Sequence, residues 1–126
     1  MQSSLDLAWL AGLLEGEGCF YIGRQHGKHG KIYTNARISL VMTDRDSVER
    51  AATIMGSKVG KPFTPKGGKI AYRTVVCGAK CAGVMMSIYG LMSERRQAKI
   101  RECLAVWKSL PGRGRRRGAV PSPIIS

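Results

Sequence analysis

Residues 5–18 read LDLAWLAGLLEGEG, an apolar helical stretch that ends in two glutamates set among glycines, and the rest of the chain is organised around that end. Ser3 and Ser4 are good N-cap residues, Asp6 stands at capping-box distance from Ser3, and residues 5–14 contain no helix breaker. Ala8, Gly12 and Gly16 recur at i, i+4 and i+8, which puts three tiny residues on one stripe, while Trp9, Leu10, Leu13 and Leu14 fill its flanks. Glycine inside a helix costs about 1 kcal/mol relative to alanine. Two on one face therefore imply close packing against another backbone, most simply a second copy of the chain.

Glu15 and Glu17 fall at the C-terminal end of this helix, where the macrodipole is negative and the last carbonyls are unpaired, so anions are destabilising there. Something positive is expected nearby. A divalent cation held by a carboxylate and a terminal carbonyl removes the conflict, and hard oxygen ligands select Mg²⁺ or a similar ion such as Mn²⁺. The alternative is two solvated glutamates on a frayed end.

The nine residues LAGLLEGEG at positions 10–18 closely resemble the motif of the LAGLIDADG homing endonucleases, with glutamate in place of both aspartates. The resemblance implies that the motif helices of two subunits pack in parallel, with Ala8, Gly12, Leu13, Glu15 and Gly16 at the dimer interface. It implies that Glu17 holds a catalytic divalent metal and that the Gly16 carbonyl is the second protein ligand. Glu15 matches a position that is usually structural or capping in relatives. The motif occurs once here, and family members with one copy act as homodimers.

Charge narrows the partner class. Lys and Arg number 21 against 8 acidic residues, a net of +13, which calls for a polyanionic partner and strongly salt-dependent binding. A basic ribosomal-type RNA binder would share this excess, so charge alone does not separate the two. The 126 residues suit one domain with a modest core. No apolar run reaches membrane-spanning length, and the N-terminus lacks a basic segment leading into a signal-type core, so an intracellular protein with no membrane partner and no small-molecule substrate is expected.

After the motif, residues 19–25 read as a strand with Phe20 and Ile22 on the core side and Tyr21, Gly23 and Gln25 outward. A glycine-rich hairpin loop, residues 26–30, leads into a longer strand over 31–43. There Ala36, Ile38, Leu40 and Met42 point inward and Asn35, Arg37, Ser39 and Val41 outward. Such an outer face suits base-edge readout, because Gln, Asn, Arg and Ser match the donor and acceptor pattern of the DNA major groove; an ordinary solvated sheet face would look the same. Thr43 or Asp44 caps a helix over 45–55, closed by Gly56. Residues 59–63 and 70–77 are expected to form a second hairpin around a turn at 65–69, with Lys66 and Lys69 within reach of phosphates and Arg73 outward. Residues 79–92 and 94–108 read as two closing helices, the second with Ala98 or Ile100, Cys103 or Leu104, and Trp107 inward.

This order gives an α+β fold, helix, hairpin, helix, hairpin and C-terminal helices, with one face of an antiparallel sheet left open. It is similar to the family's αββαββα core over most of residues 4–108. The DNA-binding set expected from the outer face and loops is Tyr21, Arg24, Gln25, Asn35, Arg37, Ser39, Lys66, Lys69 and Arg73. Residues 93–99, SERRQAK, resemble the stretch that supplies a basic catalytic residue in relatives. Arg95 and Arg96 are the candidates, while Glu94 stands near the position where relatives often carry lysine; a plain solvated or phosphate-contacting role is the alternative. Asp44 resembles a position that orders active-site water, and capping the following helix explains it equally well.

Cys77 and Cys81 with His26 and His29 make a Cys₂His₂ zinc site conceivable, but neither spacing is a common one. Reduced, partly buried cysteines are the expectation. Residues 111–126, rich in arginine, glycine and proline, read as a flexible basic tail after a domain over 1–110. Together these readings point to a homodimeric, Mg²⁺-dependent endonuclease cutting double-stranded DNA at a pseudo-palindromic site. The alternative is a cleavage-inactive relative acting as an RNA maturase or DNA-binding regulator.

Overall fold

The first helix runs straight into the first strand with no loop between them, and Gly18 makes this possible. In the computed structural model, which describes residues 3–110, helix α1 spans Ser4–Glu17 and strand β1 spans Gly18–His26. Ser3 caps the helix start, its hydroxyl accepting the Asp6 N–H at 3.0 Å, as its sequence context predicts. At the other end the Gly18 N–H donates to the Leu14 carbonyl, and a Cβ on Gly18 would stand 2.8–3.1 Å from Leu14 atoms. Only glycine lets the chain turn this sharply against the helix.

Strand β1 pairs antiparallel with β2, Ile32–Met42, in a register from Gly18↔Leu40 to His26↔Ile32. Helix α2, Arg45–Met55, follows and ends on Gly56 in the left-handed conformation, φ 78°. Strand β3, Tyr72–Cys77, pairs antiparallel with the other edge of β2, so the sheet order is β1-β2-β3 with β2 central. Helices α3, Gly78–Ile88, and α4, Glu94–Ser109, complete the described residues.

Among the described residues, the four α-helices pack on one face of the sheet. Phe20, Ala36, Ile38, Leu40 and Val76 project from the strands into a core shared with Leu10 and Leu14 of α1, Val48 and Ala51 of α2, Met85 and Ile88 of α3, and Ile100 and Cys103 of α4. The inward and outward sets expected on β1 and β2 match this burial, with Ile22 and Met42 half-buried at its margin. Trp107 and Leu104 also pack against the core. The result is the expected two-layer α+β plan with one open sheet face.

Two expectations need correction. Residues 59–63 do not form a fourth strand: their pairing is limited to isolated bridges, Val59 with Thr74 of β3 and Phe63 with Ala71 just before it. Pro62 lacks an N–H to continue a ladder, and a turn closed by the Gly68 N–H on the Pro65 carbonyl, 2.8 Å, separates the two arms. The helix expected over 79–92 stops at Ile88 and tightens into a 3₁₀ turn, Tyr89–Leu91, where Gly90 removes helix propensity. The expected tail, 111–126, lies outside the described residues.

Cys81 and Cys103 are fully buried, and burial pushes both thiols up, so they stay protonated. Cys19 and Cys77 are exposed on the sheet's outer side. Among the described residues no group of three His, Cys, Asp or Glu side chains stands close enough to hold a metal ion, so the Cys₂His₂ arrangement is not formed. No helix among the described residues is long and apolar enough to cross a membrane.

Candidate nucleic-acid interface and metal centre

The strand register assembles the open face. Tyr21 of β1 stands opposite Arg37 of β2, which stands opposite Cys77 of β3; Cys19, Ser39 and Val75 form the next row, and Val41 pairs with Arg73. Gln25, opposite Tyr33, and Asn35, opposite Gly23, extend the face toward the hairpin turn. Six of the expected DNA-contacting residues, Tyr21, Gln25, Asn35, Arg37, Ser39 and Arg73, thus share one side of the sheet. The pairing of Val41 with Arg73 sets the register of β3, and Arg73 is exposed there with its guanidinium 4.8 Å from the Phe63 ring centroid. Arg24 departs from this set. It pairs with Thr34 and has the parity of Phe20 and Ile22, so it is exposed from the opposite face. Lys66 and Lys69 are exposed on the turn beside β3.

Charge divides with the layers. Residues 18–42 and 56–77, the strands with their connections, carry nine Lys or Arg and no Asp or Glu. Every acid in the sequence lies in α1, α2 with its cap, or α4. The strands and their connections themselves therefore offer an approaching anion no like charge.

At the C-terminal end of α1 the two glutamates have different surroundings. The Glu15 carboxylate accepts the Ser93 N–H at 2.8 Å on one oxygen and the Ser93 hydroxyl at 2.8 Å on the other. It thereby caps the N-terminus of α4, where the dipole is positive. Arg96 donates through Nη2 to the Glu15 carbonyl at 2.9 Å, stands 3.8 Å from the carboxylate, and lies over the Phe20 ring. These contacts, the Ser93 backbone N–H first, hold the Glu15 carboxyl below its ordinary value. The dipole conflict expected at Glu15 is thus resolved inside the protomer.

Glu17 is exposed and has no hydrogen bond or ion pair among the described residues. Leu14 O receives the Gly18 N–H and Glu15 O receives Arg96, whereas no described group donates to Gly16 O. A free carboxylate beside a free terminal carbonyl is a donor set that suits a hard divalent cation, with the remaining positions left for water or a phosphate ligand.

The other expected site residues are dispersed. Asp44 caps α2 without a side-chain bond to the helix backbone and accepts the Ser47 hydroxyl at 2.6 Å; it lies just beyond the end of β2 that faces Gly18. Arg96, a candidate stabiliser of transition-state phosphate charge, is instead engaged with Glu15, and its Nε is buried without a hydrogen-bond partner. Arg95 is exposed in the first turn of α4, as is Glu94. Of the expected dimer-interface residues, Leu13 packs on its own core and Glu15 is bonded to α4, while Ala8, Gly12 and Gly16 are exposed together with Leu5. A Cβ on Gly12 or Gly16 would meet nothing within 4 Å. Sequence reasoning missed Ser93, whose only local signal was its N-cap position before Glu94.

No family model matches the sequence, and no curated protein sequence matches it. Solved structures do match its fold. The homing endonuclease I-CvuI, in complex with its target in the presence of Ca, superposes with a TM-score of 0.67 at 17% identity, over 82% of this chain and 66% of that one. I-TnaI, also a homing endonuclease, gives 0.63 at 17% identity over 86% and 74% of the two chains. The LAGLIDADG homing endonuclease I-GzeII, in complex with a DNA target, gives 0.60 at 14% identity over 81% of this chain and 35% of its own length. The fold of this chain is that of the LAGLIDADG homing endonucleases.

Proposed function

We propose that the protein is a homodimeric, divalent-metal-dependent endonuclease that cuts double-stranded DNA at a pseudo-palindromic site. The observation that carries this reading is the inequality of the two motif acids: Glu15 is consumed by the fold, and Glu17 is left free beside a free carbonyl. A carboxylate held at the negative end of a helix with no internal partner calls for a cation from outside.

Glu17 and the Gly16 carbonyl are the residues that would hold the ion. When bound, a divalent cation lowers the pKa of attacking water and stabilises the leaving oxygen of a phosphodiester. The chain's own part is positioning. Ser93, Glu15 and Arg96 pin the end of α1, so the Glu17 backbone is fixed relative to the sheet. The outer face, basic and free of acids, binds the phosphate backbone and presents polar side chains to base edges. The exposed stripe of Ala8, Gly12 and Gly16 supports a second copy packed along α1, which would bring two Glu17 carboxylates together and impose two-fold symmetry on the target.

The test is cleavage of a randomised double-stranded DNA library by the purified protein, with Mg²⁺, without it, and with Glu17→Gln. The expected result is metal-dependent double-strand cutting at one pseudo-palindromic sequence, lost in the variant. Equal cutting by Glu17→Gln would remove Glu17 from the metal site. Binding without cutting in any metal would shift the reading to an RNA maturase or a DNA-binding regulator.

A further inference from the structure

On the open face Arg37 is held in an unusual way. Its Nε donates to Asn35 Oδ1 at 2.9 Å, and the side chain crosses diagonally over Gly23 on the neighbouring strand. A Cβ on Gly23 would lie 2.5 Å from Arg37 Cδ and Cζ, so the missing side chain creates the trough in which the arginine rests. Gly23 itself is buried beneath it. Arginine has no acceptor, so the Asn35 amide must turn its oxygen to Nε. One of the two lone pairs of that oxygen is then engaged, which fixes the orientation of the Asn35 amide beside the arginine.

What remains free is the other edge of the guanidinium. Neither terminal nitrogen of Arg37 has a partner among the described residues, and no acid stands on the sheet to neutralise it. We propose that Arg37, clamped by Asn35 in the Gly23 trough, is a specificity-determining residue that reads one guanine in each half of the target through bidentate bonds to O6 and N7. Clamping Nε lowers the conformational entropy lost on binding and fixes the plane of the fork, which is what separates base reading from a loose phosphate contact. The proposal rests on the DNA-binding reading above and adds to it a named base and two positioning residues, Gly23 and Asn35.

The test is selection of bound duplexes from a randomised library by the full chain in the absence of added metal, followed by sequencing, for the native protein and for Arg37→Ala, Arg37→Lys, Gly23→Ala and Asn35→Ala. The native protein should enrich a site with a symmetry-related guanine in each half. Arg37→Ala should lose that preference, by on the order of tenfold to a hundredfold, and Arg37→Lys, which lacks the planar fork, should weaken it, with the other positions kept. Gly23→Ala should do the same while leaving the arginine in place, and Asn35→Ala should weaken the preference. Far-ultraviolet circular dichroism confirms that each variant is folded. A uniform loss of affinity in Arg37→Ala, restored by Arg37→Lys, would make Arg37 a phosphate contact and overturn the proposal. An unchanged site in Arg37→Ala would overturn it as well. Failure of the native protein to enrich any duplex would overturn the DNA-binding reading itself, and the proposal with it.

Discussion

Two sides of one helix end carry the same residue type and treat it in opposite ways. On one side Glu15 is bonded to Ser93 and faced by Arg96, so a carboxylate at the wrong end of α1 becomes an anion at the right end of α4. On the other side Glu17, two residues on, has open surroundings. The contrast teaches that an electrostatic conflict at a helix end can be resolved by the fold or left open within the protomer. Only the contacts, not the residue type, say which.

The sharpest way to break the comparison is to exchange the two losses. Glu17→Gln is expected to abolish cleavage while the unfolding free energy changes by no more than is typical of surface substitutions, about 0.5 kcal/mol, and denaturant unfolding checks the second half. Arg96→Ala removes a bond to a helix-terminal carbonyl and the cover over Phe20. It is expected to cost about 1–2 kcal/mol in denaturant unfolding, below the full loss of a buried pair, because its Nε already lacks a partner.

Glu15→Gln sharpens the contrast through pH. The folded-state pKa of Glu15 is depressed below the ordinary 4.5, so its contribution to stability is fully present above that value and is lost as pH falls through the folded pKa. The variant should melt below the native protein at neutral pH, and the two curves should converge under acid conditions. A gap that persisted undiminished would show that charge is not the source. The smallest effect is at Gly12. Gly12→Ala fills open space in the protomer and should raise the stability of dilute, monomeric protein by up to about 1 kcal/mol. Sedimentation velocity at higher concentration should show weaker self-association. Unchanged association would place the dimer contact away from this stripe.

Much of the architecture was legible because it depends on local pattern. Ser3 before a run of helix formers marks α1, and period-two alternation on β2 separates Ala36, Ile38 and Leu40 from Asn35, Arg37 and Ser39. The arm at 59–63 misled because two or three apolar residues look strand-like, while the proline within it decides whether a ladder can continue. At the site, the candidacy of Glu17 was readable from the helix end and from resemblance. The engagement of Arg96 was not, since it depends on a contact across 81 residues of chain that no spacing rule encodes. Likewise Gly23 reads only as an outward position until the register sets it beside Arg37.

The separation of charge between the layers has a consequence during diffusion. The strands and their connections carry nine bases and no acid, whereas the helices, with the α2 cap, carry eight of each sign, so the charge of the described residues is concentrated on the sheet layer. In the field of a polyanion such a body experiences a torque as well as an attraction, and it turns its sheet forward before any surfaces touch. Fewer collisions are then wasted on wrong orientations, so salt should slow the approach as well as weaken the final complex.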